Sequence, residues 1–169
     1  MLQLPSMPSV TIQIELDRPS MPLDRPTFGP GTVLASFAEE SRTAFRQSPG
    51  RLSVILTPPE PFLAMDPADI VEITCRDAAR LGLHVREHIV AYRVVKLPAD
   101  FYSLAPGHDA LRPLQATPIP GLTLAGDYTR QPYLATMEGA VVSGQFAADA
   151  VEAACRWGDV PAMAGARSS

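Results

Sequence analysis

The sequence predicts an α+β chain, with strands of a mainly antiparallel sheet and one helix, closed by a long carboxyl-terminal helix. Three observations predict it. Residues 10–16, Val10-Thr11-Ile12-Gln13-Ile14-Glu15-Leu16, alternate apolar and polar at period two, as a half-buried strand does. Asp66-Pro67 with Asp69 behind it reads as a helix start, with an acidic cap and proline at the first helical position. From Thr136 onward apolar and small residues recur at helical spacing for about 20 residues, or roughly 30 Å of helix.

The elements follow in order. The first strand stops at Asp17-Arg18-Pro19, and residues 17–31 hold Pro19, Pro22, Pro26, Pro30, Gly29 and Gly31, an irregular loop with pre-set turns. Residues 32–38 and 51–56 are the next two strands, joined through a polar, partly helical connection ending at Ser48-Pro49-Gly50. Pro58, Pro59 and Pro61 terminate the third strand. In the helix from Asp66, Ile70, Ile73, Thr74, Ala78 and Leu81 mark one face and Gly82 supplies the stop. Residues 88–97 read as another strand, followed by proline-rich irregular backbone. Leu122-Thr123-Leu124-Ala125 then reads as a short buried strand ended by Gly126-Asp127. In the last helix Met137, Ala140, Val141, Gly144, Ala148, Val151 and Cys155 form the periodic face, and Gly139, Ala140, Ser143, Gly144, Ala147 and Ala148 are all small. Glycine inside a helix costs about 1 kcal/mol against alanine, so two of them point to something approaching the helix backbone closely. Residues 158–169, rich in Ala, Gly and Ser, are expected to be a disordered tail.

Composition narrows the function. The 169 residues are 46% hydrophobic and 19% charged, enough apolar material for a core. The 18 prolines, about twice average usage, confine long helices to a few windows. A net charge of −4 with no basic cluster argues against nucleic acid as a partner. Cys75 and Cys155 are far apart and the three histidines share no metal-ligand spacing, so neither a disulfide framework nor a metal site is expected. His84 and His88 stand four apart, but Gly82 and the β-branched residues after them argue against a helix there. Asp66, Asp69 and Glu72 read as a helix-start charge cluster. No signal peptide and no membrane span is visible, so a cytoplasmic location is expected.

The window with chemistry is Leu124-Ala125-Gly126-Asp127-Tyr128-Thr129-Arg130-Gln131-Pro132-Tyr133-Leu134-Ala135-Thr136-Met137-Glu138-Gly139-Ala140. It reads as a strand, a Gly-Asp corner, a short loop and a helix start. A helix amino end carries unpaired N–H groups and about half a positive charge, which suits an electron-rich ligand atom. Asp127 is placed to accept from hydroxyls. A capped helix with a turn aspartate is the plainer alternative.

This window resembles the carboxyl-terminal flavin-contacting motif of the FAD-dependent amine oxidase superfamily, in particular its plant and cyanobacterial-type phytoene desaturase branch. Leu16-Asp17-Arg18-Pro19 with Thr27-Phe28-Gly29-Pro30, and Val94-Val95-Lys96-Leu97-Pro98 through Leu111-Arg112-Pro113-Leu114-Gln115, resemble further segments of that branch in the same order. The resemblance implies part of a substrate-binding domain over residues 1–110. It implies the last strand and helix of a Rossmann-like FAD-binding domain over residues 111–157. It further implies FAD as cofactor, with Gly126, Asp127, Tyr133, Thr136, Met137, Glu138, Gly139 and Ala140 at its site. Asp127 would bond the ribityl or pyrophosphate region and Met137 would face the N1–C2=O edge of the ring. The implied reaction forms C=C bonds in a long isoprenoid or carotenoid, with no catalytic side chain assigned. Phe28, Phe37, Phe62, Phe101 and Leu104 are the candidates to line an apolar tunnel for that substrate, with core packing as the default reading.

The superfamily's G-x-G-x-x-G turn is missing: Gly29-Pro30-Gly31 has the wrong spacing and precedes a strand. The FAD site is therefore expected to be incomplete or shared with an amino-terminal Rossmann-bearing subunit, the chain being a fragment or half of a split enzyme that is inactive alone. Peripheral contact with a membrane at its cytoplasmic face is compatible with a lipophilic substrate. The rival readings are a non-catalytic lipid- or partner-binding module and a related flavoenzyme acting on another isoprenoid or amine.

Overall fold

A computed structural model describes residues 4–156. The expected tail at 158–169 lies outside them. The chain forms two compact units, one of residues 7–100 and one of residues 101–156 together with the short amino-terminal stretch before Met7.

Residues 7–100 are built on a mixed arrangement of antiparallel strands and helices. The strands are β1 (Ser6–Leu16), β2 (Thr27–Phe28), β3 (Leu34–Glu39), β4 (Gly50–Leu56) and β5 (Ile89–Tyr102), in sheet order β2-β3-β4-β1-β5. Alternation in β1 does what its sequence requires. Val10, Ile12, Ile14 and Leu16 point into the core, and Thr11, Gln13 and Glu15 face the other way. Antiparallel pairing of Ile12 with Val54 and Ile14 with Leu52 continues the apolar layer into β4. Its cover is a short helix α1 (Glu60–Leu63), which supplies Phe62, and α2 (Pro67–Arg80), which supplies Ile70, Val71, Cys75 and Ala78.

The ends of α2 lie where the sequence sets them. The Asp66 carboxylate accepts from the Ala68 amide at 2.8 Å, and Pro67 opens the helix. At the other end the Gly82 amide donates to Ala79 O at 3.0 Å and the Leu83 amide to Ala78 O at 2.9 Å, a Schellman stop. It places Gly82 at φ +82°, where a side chain would be strained.

Three expectations are corrected. The second strand begins at Leu34 rather than at Thr32, because the Thr32 hydroxyl turns back onto Gly29 O and Asp77 takes the Val33 amide. The loop at residues 17–31 contains the two-residue strand β2, paired with β3. Leu122–Ala125 is not a strand: it contributes one isolated bridge, Thr123 to Ala116, and Leu122 is exposed. A strand needs a neighbouring ladder, and among the described residues none runs beside it. His84 and His88 fall in a loop and a short 3₁₀ turn (Arg86–His88), not on one face of an α-helix.

Glu39 is a feature that the polar run after β3 concealed. It is 1% exposed, and its carboxylate accepts from the amides of Ser20, Ser41 and Arg51 and from the Ser20 hydroxyl. It ties the long loop before β2 to the β3–β4 hairpin.

Candidate functional site

The second unit is built around a loop, residues 126–136, that leads into helix α3 (Met137–Arg156). The short segment Arg112–Gln115 holds this loop. Arg112 follows a 3₁₀ turn (His108–Leu111), and its side chain is almost wholly buried. Its guanidinium donates to Asp127 O at 3.0 Å, to Thr129 O, and to Gln131 O and Tyr133 O at 3.2 Å each. A further bond of 2.8 Å goes to the Asp109 carboxylate. Gln115 donates to Thr129 Oγ1 at 3.0 Å and to Arg130 O at 2.8 Å, and its carbonyl accepts from the Leu124 amide. Burying these polar groups is tolerable because most of them find partners, although Arg112 Nε has none among the described residues.

The loop is fastened to α3 by a closed circuit of hydroxyls. Ser143 Oγ accepts from the Gly126 amide at 2.9 Å and lies 2.5 Å from Thr129 Oγ1, which in turn donates to Gly126 O at 2.8 Å. Gly126 adopts φ +149°, and a Cβ there would fall 2.5 Å from the Tyr128 ring, so this corner accepts only glycine without rearrangement.

The start of α3 is capped as its sequence allows. Thr136 Oγ1 accepts from the Gly139 amide at 3.0 Å, and Thr136 O from the Ala140 amide at 3.1 Å. The amides of Met137 and Glu138 have no acceptor among the described residues. Met137 is 89% exposed, and Glu138 beside it is exposed as well. The Asp127 carboxylate likewise has no partner among the described residues. Its backbone oxygen is taken by Arg112 and by Gln131 Nε2.

Gly126, Asp127, Tyr133, Thr136, Met137, Glu138, Gly139 and Ala140 therefore stand in one loop–helix segment. Within it the close approach to α3 comes from the chain itself. A Cβ on Gly139 would lie 2.4 Å from Gln131 Nε2 and 2.9 Å from Leu134 O, whereas one on Gly144 would meet nothing within 4 Å. The expected apolar face is also turned outward: Met137, Val141 and Val151 are exposed, and Gly139 and Ser143 are the buried positions of the helix. Against the loop the helix packs by smallness and one hydroxyl rather than by aliphatic bulk.

The candidate lining residues divide between the two units. Phe37 and Phe62 belong to the core of residues 7–100, and Phe28 is 75% exposed on the same unit. Phe101 and Leu104 belong to the other unit. Arg112, Gln115, Thr129, Gln131 and Ser143 are structural members of this segment that the sequence does not single out. Nothing local says that an arginine among prolines will meet a loop fifteen residues on. The Tyr102 ring lies 5.4 Å from the Arg112 guanidinium. Burial pushes the Tyr102 phenol up, the Arg112 charge opposes this, and the carboxylates of Asp127 and Asp109 add to it. Among the described residues no helix is long and apolar enough to cross a membrane.

Residues 1–152 match the family described as flavin containing amine oxidoreductase. The chain is 33% identical over 159 residues to a 15-cis-phytoene desaturase of Solanum lycopersicum, covering 88% of this chain and 27% of that protein. It is 34% identical over 156 residues to the 15-cis-phytoene desaturase of Synechococcus elongatus, covering 88% of this chain and 33% of that protein. A probable zeta-carotene desaturase of Synechococcus elongatus is 41% identical over 109 residues, 63% of this chain and 23% of its own length. The chain thus spans between about a quarter and a third of the length of these curated relatives. It belongs to the flavin-containing amine oxidoreductase family.

Proposed function

We propose that this chain supplies the ring-facing part of an FAD site in a carotenoid-desaturase-like oxidoreductase. The observation that carries the reading is the open amino end of α3. Its Met137 and Glu138 amides have no acceptor among the described residues, while Thr136 caps the next turn. In the same loop–helix segment the Asp127 side chain has no partner among the described residues, while its backbone is clamped. These residues fit a flavin. Amide donors and the positive helix end suit an electron-rich ring edge, and a carboxylate suits ribityl hydroxyls. Clamping by Arg112 and the Thr129–Ser143 circuit preorganises both before any ligand arrives.

In this reading residues up to about 110 belong to a substrate-binding domain and residues 111–157 to the FAD-binding domain. A polypeptide segment carrying the Gly-rich turn completes the nucleotide half of the site. The substrate is a long apolar isoprenoid, the class that the names of the relatives indicate. Bound FAD would take up the hydrogen removed as a C=C bond forms, and the protein contributes orientation and exclusion of water.

Titration of the 15N-labelled chain with FAD to millimolar concentration tests this. Amide shifts are expected at Gly126–Tyr133 and at Met137 and Glu138, weakened by Asp127→Asn. Absence of shifts there, or shifts confined to residues 7–100, overturns the reading. Binding of a polyene without any response to FAD would favour a non-catalytic module instead.

A further inference from the structure

We infer that Arg112 is a positioning residue for this flavin site: by holding four carbonyls of the loop it fixes where Asp127 and the start of α3 stand. The inference rests on the reading given under Proposed function. Its basis is a pattern in the bonds. The four backbone acceptors are Asp127, Thr129, Gln131 and Tyr133, that is, every second residue through the loop. All four oxygens converge on one guanidinium. The negative ends of these peptide groups are therefore drawn inward, and the Asp127 carboxylate has no partner among the described residues.

Arg112 is 3% exposed, and its carboxylate partner among the described residues, Asp109, has a side chain 77% exposed. The buried charge is thus satisfied mainly by the loop itself, so loop and guanidinium must keep their shape together. The Tyr102 ring lies over the guanidinium at 5.4 Å. The constraint passes on to the helix through Gln131. Its side chain donates to Asp127 O and accepts from the Tyr133 amide, and it fills the space where Gly139 lacks a Cβ. Lysine cannot substitute. An ammonium is a point donor of three bonds, whereas the guanidinium is a planar fork that spans acceptors several ångströms apart.

The test uses the 169-residue chain with Arg112→Lys and Arg112→Met, read by amide hydrogen exchange and by FAD titration followed in 15N–1H spectra. In both variants residues 7–100 and the body of α3 keep their protection. Amides at 127–133 exchange about tenfold faster, and the Met137 and Glu138 shifts need about tenfold more FAD. Unchanged exchange at 127–133 overturns the inference. So does faster exchange with an unchanged FAD response, which is what a merely structural arginine gives. Loss of α3 protection in both variants also overturns it, since Arg112 would then be a general stabiliser. Failure of the unsubstituted chain to respond to FAD is a separate result, which removes the flavin reading itself.

Discussion

The hydroxyl oxygens of Thr129 and Ser143 lie 2.5 Å apart, and both residues are fully buried. Through this contact the loop that carries Asp127 is joined to helix α3, with the Gly126 amide as the third member at 2.9 Å. Ser143→Ala removes the acceptor of that amide while leaving the Thr129 hydroxyl its bonds to Gly126 O and Gln115. An unpartnered, part-buried N–H costs about 1 to 2 kcal/mol. The expected outcome is faster hydrogen exchange at Gly126 and Thr129 by about tenfold, with residues 7–100 unaffected. Exchange equal to that of the unsubstituted chain would show that the circuit does not hold the loop.

The two helix glycines are expected to respond in opposite directions. Gly144→Ala places a methyl where nothing lies within 4 Å and gains about 1 kcal/mol of helix propensity. Gly139→Ala gains the same propensity, but its methyl meets the Leu134 carbonyl oxygen at 2.9 Å as well as the Gln131 side chain. Moving backbone costs more than moving a flexible side chain, so a net loss of about 1 to 2 kcal/mol is expected. Thermal unfolding of the two variants, followed by helix circular dichroism, checks the sign of each.

The parts of this molecule that local chemistry encodes could be read from its sequence. Period-two alternation placed β1, and an Asp-Pro start with a Gly82 stop placed α2. Thr136 proved to be the cap of α3, and Gly126-Asp127 the corner before it. The parts that long-range pairing decides were hidden. Leu122–Ala125 has strand-like residues, but strandedness depends on a partner that local composition does not reveal. The buried face of α3 is hidden from its sequence for a related reason. Helical spacing marks which residues share a side, whereas burial of Gly139 and Ser143 follows from the hydroxyl circuit and the Gln131 contact. Arg112 was invisible as a hub because its acceptors are backbone carbonyls, which every residue possesses.

The two thiols are expected to differ sharply in reactivity. Cys75 is buried against the sheet, and burial pushes its thiol up, which leaves little thiolate near neutral pH. Cys155 is exposed on α3. With a chromogenic disulfide reagent, one thiol per chain should react quickly and the second only on unfolding. Cys155→Ser should abolish the fast reaction. Fast loss of two thiols from the folded chain would contradict the packing of α2 on the sheet.

Glu39 gives the fold an acid limit whose direction can be worked out. Burial alone would push its carboxyl up, but hydrogen bonds from the Arg51 amide, from Ser41 and from the amide and hydroxyl of Ser20 outweigh this and bring it down from 4.5 to about 2. The folded state therefore holds the ionised form more firmly than the unfolded chain does. Its contribution is complete above the unfolded value near 4.5 and fades as pH falls toward about 2. Glu39→Gln keeps the shape but replaces one oxygen by a donor facing donors, so at neutral pH it should cost about 1.5 to 3 kcal/mol, the range for bonds to a charged group. The cost should shrink between pH 4.5 and 2, because the parent protein is losing the same charge there. Denaturation of parent and variant across that interval measures the difference, and a gap independent of pH would mean that the ionised carboxylate is not what ties Ser20 to the β3–β4 hairpin.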